Sequence, residues 1–252
     1  MPKNNTGNNL KRNRQLQRAA SYASLMVALV LIAAKLWSYM ATNSVSILSS
    51  LVDSVLDMLA STITVVAVYY SLRPADQEHR FGHGKAEGLA ALLQSIIVTI
   101  SAAYVLKEAA DRIINPQTIT SPLIGLGVMG LSITLTIALV AFQRYVVRTT
   151  GSLAIAADSL HYRADLLVNL GIAATIAIAS WTSWKLLDPL TGCVIAVYIV
   201  WSAYGIASDA LDVLLDKELS IEDRERIRAI AEQHPAVRSA SGSPAWIAAV
   251  AQ

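Results

Sequence analysis

Six stretches of this sequence stay apolar for long enough to cross a hydrocarbon core: about 19–40, 45–71, 86–113, 122–145, 152–180 and 186–210. Crossing a core about 30 Å thick takes about 20 helical residues. Inside it the backbone must satisfy its own hydrogen bonds, which restricts a spanning chain to helices or a closed barrel. Runs of this length dictate helices. The sequence therefore predicts an all-α membrane protein with six transmembrane helices. Charge usage agrees: 15% of the 252 residues are charged, against about a quarter in a soluble domain, and the mean hydropathy is +0.49.

Other classes fall away quickly. Cys193 is the lone cysteine and lies in an apolar run, so neither a disulfide framework nor a cysteine metal cluster is available. A net charge of +2 gives no case for nucleic acid. Residues 1–18 carry Lys3, Lys11, Arg12, Arg14 and Arg18, and the first apolar run follows at spanning length without a small-residue cleavage site. They read as a disordered basic arm rather than a cleavable signal.

Basic residues set the orientation. The arm, the 72–85 loop with Arg73, Arg80 and Lys85, the Arg144/Arg148 region and the tail hold most of them. Connections at 41–44, 114–121 and 181–185 hold almost none, Lys185 excepted, while Lys35, Lys107 and Arg112 lie near span ends where they can snorkel. The positive-inside rule then puts both termini in the cytoplasm. Trp37, Tyr39, Trp181 and Trp184 fall at the outer interface, where aromatic belts form.

Ionisable groups at membrane depth cost about 2.5–3.5 kcal/mol each on insertion scales, so those inside the spans need a reason. Asp53 and Asp57 sit at i and i+4 in the second span, and His161 and Asp165 repeat that spacing in the fifth. Each pair therefore shares one helix face. At 1.5 Å per residue, Asp57 lies roughly 16 Å below the outer edge and His161 roughly 15 Å above the inner edge. The two pairs meet near the midplane if their spans are neighbours. Three carboxylates and an imidazole suit tetrahedral zinc and are poor for magnesium, which wants octahedral oxygen. A proton relay or a buried polar cluster is the metal-free alternative. No HExxH or other catalytic zinc signature is present, and no separate general base for an intramembrane metalloenzyme, so an enzyme is not expected.

A second candidate lies in the 72–85 loop, where Asp76, His79 and His83 are ligand types at close spacing and Gly82 and Gly84 allow a tight backbone path. The alternative there is a solvated loop with ordinary histidines. Asn169 continues the His161/Asp165 face by one turn, Asp158 lies on its cytoplasmic side, and Arg163 points away from it. Gly171, with Gly125, Gly127 and Gly130, suits close helix packing. Beyond the sixth span, Ser220 can cap a short amphipathic helix with Glu222 and Asp223 in its first turn, ending at His234-Pro235. Ser239 to Gln252 carries no charge and no strand pattern and reads as poorly ordered.

Three stretches together carry a resemblance. They are Ser44-Val45-Ser46-Ile47-Leu48 leading to Asp53 and Asp57, Phe81-Gly82-His83-Gly84-Lys85-Ala86-Glu87, and Ala157-Asp158-Ser159-Leu160-His161 leading to Asp165. The chain resembles the cation diffusion facilitators, in their bacterial zinc-exporting form, over about residues 15–235. The resemblance implies a homodimeric exporter in the bacterial inner membrane that exchanges cytoplasmic zinc, with cadmium or ferrous iron, for protons by alternating access. A non-transporting metal-binding or metal-sensing membrane protein is the rival. The resemblance further implies a transport site of Asp53, Asp57, His161 and Asp165 and a loop site of Asp76, His79 and His83. It adds an ion pair from Lys85 to an acidic residue after span six, for which Asp216 is the candidate. Zinc is then the transported substrate, and no organic cofactor is implied. Family members continue into a cytoplasmic αββα-type domain. Here residues 1–18 form the arm, 19–213 the six-helix domain, and 214–252 read as a remnant of that further domain, one helix and a disordered tail, with a dimer weakened accordingly.

Overall fold

A computed structural model describes residues 4–42, 45–114, 123–179 and 187–233 of the chain. Trp181, Trp184, His234-Pro235 and the Ser239–Gln252 stretch lie outside the described residues. The described residues are helical or connect helices: α1 Asn4–Thr42, α2 Val45–Ser71, α3 Lys85–Ile114, α4 Leu123–Thr150, α5 Leu153–Ala179, α6 Leu187–Leu214 and α7 Ile221–Glu232. Five of them, α1, α2, α3, α4 and α6, are long and apolar enough to cross a membrane. On α5, Asp158, Arg163 and Asp165 fall within eight residues of one another.

Two boundaries differ from the sequence reading. Residues 4–18 are helix rather than an irregular arm, because Leu16 carries the helical surface of α1 onto a buried cluster that draws on five helices. The 146–151 connection shrinks to Gly151-Ser152. Thr149 and Thr150 donate their hydroxyls back to Tyr145 O and Val146 O, extending α4, and Gly151 at φ +70° then ends it.

α5 is the centre of the bundle. It packs against α1, α2, α3, α4 and α6, and from Ala154 to Tyr162 all but Ala156 are buried. Small residues let the backbones approach: Ala20, Ala67, Ala90 and Ala154 meet near the end of the bundle that carries the 72–84 loop, and Ala91, Ala157 and Ala210 meet beside them. A Cβ on Gly171 would lie 2.8 Å from Ile195 Cδ1, so glycine there sets how closely α5 approaches α6.

Polar side chains tie the helices where lipid cannot compete. Asp158 is fully buried and accepts from Gln143 Nε2 of α4 at 2.6 Å and from Ser61 Oγ of α2 at 3.4 Å. Tyr162 Oη reaches Ser61 Oγ at 2.9 Å and Ser24 O of α1 at 3.1 Å. Gln94 Nε2 of α3 donates to Ala60 O and Thr64 Oγ1 of α2. At the loop end, Glu87 accepts from Ser71 Oγ at the close of α2 and from Ser152 Oγ at the start of α5.

Removing the Gln143 donor leaves Asp158 short of a partner in the bundle core. Gln143→Leu should cost about 1–3 kcal/mol of stability, read as an earlier thermal transition in detergent. Thr62→Val on the exposed face of α2 should change stability by less than about 0.5 kcal/mol.

Candidate metal centre

The inward face of α2 is a polar stripe of Ser50, Ser54, Asp57 and Ser61, at helical intervals of four, three and four residues. α5 presents His161 and Asp165 one turn apart towards it. His161 Nε2 lies 2.9 Å from Asp57 Oδ1 and 3.8 Å from Asp165 Oδ2. One ligand atom each from Asp57, His161 and Asp165 falls within a 4.8 Å span, room for a single ion. The side chains of His161 and Asp57 are 9% and 14% exposed. Asp165 is 44% exposed overall, yet its Oδ2 is buried and has no hydrogen-bond partner among the described residues. A carboxylate oxygen left so costs free energy unless something positive meets it. Asp53 stands apart from this trio: it is exposed, one turn along α2.

Arg163 turns its Nε to Ser159 O, away from the cluster. Lys35 does not follow the snorkelling expected of it. It leans from α1 onto α2 and donates to Ser50 O at 3.0 Å and Ser54 Oγ at 2.6 Å. Sequence reading missed this role because a lysine near a span end looks alike whether it turns to lipid headgroups or to a neighbouring helix. The available signal was the excess of carboxylates over cations at that depth.

The loop site forms outside the bundle. Asp76 Oδ1 accepts from the backbone N–H groups of Glu78 at 3.1 Å and His79 at 2.6 Å, a side-chain turn that organises the loop. His79 Nδ1 lies 3.2 Å from Asp76 Oδ1, and His83 Nε2 lies 3.5 Å from Asp76 Oδ2. The two imidazole rings are 4.5 Å apart, and Gly82 turns the chain between them at φ +82°. The trio again offers three ligand atoms within 4.8 Å. The backbone N–H of His79, more than any other group, holds the Asp76 carboxyl below its ordinary pKa.

Lys85 Nζ reaches Asp216 Oδ2 at 2.8 Å and Leu214 O at 3.2 Å, so it caps the C-terminus of α6. Asp216 adopts the left-handed conformation at φ 54° that such a helix end calls for. Both side chains are about half exposed, and pairs of that kind are worth about 0.2–1 kcal/mol.

The sequence comparisons point the same way. The model of the cation efflux transmembrane domain matches residues 21–215. The chain belongs to the cation efflux, or cation diffusion facilitator, family. It is 42% identical over 226 residues to the cation-efflux pump FieF of Pectobacterium atrosepticum, covering 90% of this chain and 75% of that one. FieF of Citrobacter koseri is 41% identical and FieF of Cronobacter sakazakii 42%, each over 227 residues with the same coverage. Membership of this family makes the chain a multi-pass membrane protein of a class that moves metal cations outward, and its named relatives are transporters.

The lowered Asp76 pKa gives a pH prediction with a definite sign. A carboxylate depressed in the folded loop contributes order that is present above its unfolded pKa, about 3.9, and is lost as pH falls through the lower folded value. In a carbon-13 NMR titration, Asp76 should titrate below an ordinary aspartate. An Asp76 midpoint at or above the ordinary value would contradict the backbone bonds described here.

Proposed function

We propose that the chain exports a divalent transition-metal ion from the bacterial cytoplasm across the inner membrane, zinc first with cadmium or ferrous iron, in exchange for protons. The observation that supports this most is the trio of Asp57, His161 and Asp165, with a buried, unpartnered carboxylate oxygen facing an imidazole between α2 and α5. Asp53, one turn along α2, is the fourth ligand, brought in by a rotamer change or a small helix rotation when the ion binds. An imidazole with three carboxylates favours zinc over harder ions.

The chemistry of these ligands also supplies the coupling. Metal requires ionised carboxylates and a neutral imidazole, so protons and metal compete for the same atoms. Inward opening would load metal from the cytoplasm, and outward opening would let protons displace it. α5 is the sixth span in this proposal: it packs against five neighbours, which shelter its ionisable side chains from lipid. The basic residues favour cytoplasmic termini, which puts the Asp76/His79/His83 loop on the loading side as a metal-gathering site. Lys85 and Asp216 then steady the cytoplasmic ends of α3 and α6 beside the homodimer contact implied by the family resemblance.

Metal-dependent proton flux in proteoliposomes tests the whole scheme. Zinc uptake should carry protons out of the lumen and alkalinise it. Zinc binding without flux under any gradient would leave a metal-binding or metal-sensing membrane protein instead.

Two sets of variants test the ligands. Asp57→Ala and Asp165→Ala should each reduce transport to the level of protein-free vesicles, because the remaining ligands cannot replace the ion's hydration. Wild-type flux in either would remove that residue from the site. His161→Asp should move preference from zinc and cadmium towards manganese, since oxygen ligands suit the harder ion. Competition assays read the change, and an unaltered order of metals would count against His161 as a ligand.

A further inference from the structure

Lys35 is a cation that the site described above does not account for. It is half-buried on α1, and its ammonium is held on the polar stripe of α2 by Ser50 O and Ser54 Oγ, the latter at 2.6 Å. Ser54 adjoins Asp53 in the chain and lies one helical turn before Asp57, so those two bonds hold the charge on the stretch of α2 that carries both carboxylates. The carboxylates close enough to attract the Lys35 ammonium are Asp57, Asp53 and Asp165, two of which belong to the trio around His161. Asp158 lies deeper and is served by its own donors, Gln143 and Ser61. Arg163 is turned towards Ser159. Among the described residues Lys35 is therefore the basic side chain placed at the cluster, apart from His161 itself.

A flexible lysine near a helix end would ordinarily run to the lipid headgroups. Here it is tethered inward instead, and the bond geometry asks for a reason beyond joining two helices. Given the transport reading of this site, we infer that Lys35 is a specificity-determining residue that sets the charge the site accepts. Three carboxylates with a neutral imidazole would hold three negative charges at membrane depth, and a divalent ion alone would leave one uncompensated. The fixed ammonium cancels that remainder, so the site loaded with a doubly charged ion carries no net charge. A monovalent ion leaves it negative and a trivalent ion leaves it positive, and both states are costly in a medium of low dielectric constant.

The cost of this arrangement is that the ammonium repels the cargo. It holds affinity below what the carboxylates alone would give, which favours release. Zinc binding to the full chain, measured by calorimetry in a His79→Ala/His83→Ala background to silence the loop, tests the assignment. Lys35→Gln keeps a donor for Ser50 O and Ser54 Oγ but no charge, Lys35→Met removes both, and Lys35→Arg keeps the charge. The uncharged variants should bind zinc about tenfold more tightly or better, gain affinity for trivalent terbium by a larger factor than for zinc, and transport with lower KM and lower kcat. Lys35→Arg should stay within about threefold of the parent. Either uncharged variant that folds decides. Unchanged or weaker zinc binding, or an equal gain for both ions, would make Lys35 a helix tie only and overturn the inference. An Asp57→Ala protein that keeps the bound zinc would overturn the site itself, and the role of Lys35 with it.

Discussion

Asp158 has no solvent exposure, and a carboxylate in that position must be supplied with donors before helices can close around it. Gln143 and Ser61 supply them from α4 and α2, and Tyr162, on the next turn of α5, carries the chain of polar contacts on to α1. Four helices are thus fixed relative to one another by one acidic residue and its surroundings. Lipid offers no hydrophobic drive to assemble helices, so polar ties and close small-residue contacts have to do it. The alanine clusters on either side of this network show the second half of that rule.

The consequence for the candidate metal centre is geometric. His161 lies one turn beyond Asp158 on α5, and Asp57 one turn before Ser61 on α2. Locking Asp158 to Ser61 therefore sets the register at which Asp57 and His161 face each other at 2.9 Å. Glu87 binds the loop ends of the same two helices through Ser71 and Ser152. Both polar anchors lie on the loop side of Asp57 and His161, and Asp53, on the far side of them, is exposed. Such a layout leaves the cluster free to alter at one end while staying registered at the other, as the transport proposed for it would require.

Charge is arranged with similar economy. Ionisable groups inside a bilayer are tolerated when they meet each other, and here the acidic groups of α2 and α5 gather around an imidazole and one inward lysine. Outside the bundle the rule relaxes: the Asp76 turn and the Lys85–Asp216 cap are solvent-exposed and depend on local geometry more than on burial.

Much of this was legible in the chain itself. Apolar run lengths determined that it is a bundle of membrane-crossing helices, because the bilayer fixes both the length and the internal hydrogen bonding of any span. The i, i+4 spacing of Asp53/Asp57 and His161/Asp165 determined that each pair shares a face, and the rise per residue put Asp57 and His161 at one depth. Ser220 announced α7, and its side chain does accept from Asp223 N. Tertiary structure decided which helix packs against the other five long helices, so that the one carrying Asp158, His161 and Asp165 sits at the centre. It decided that residues 4–18 continue α1, that Asp53 stands off from the other three candidates, and that Lys35 turns inward. Each of these depends on which neighbour a face meets, and a helical period says which residues share a face without saying what lies opposite.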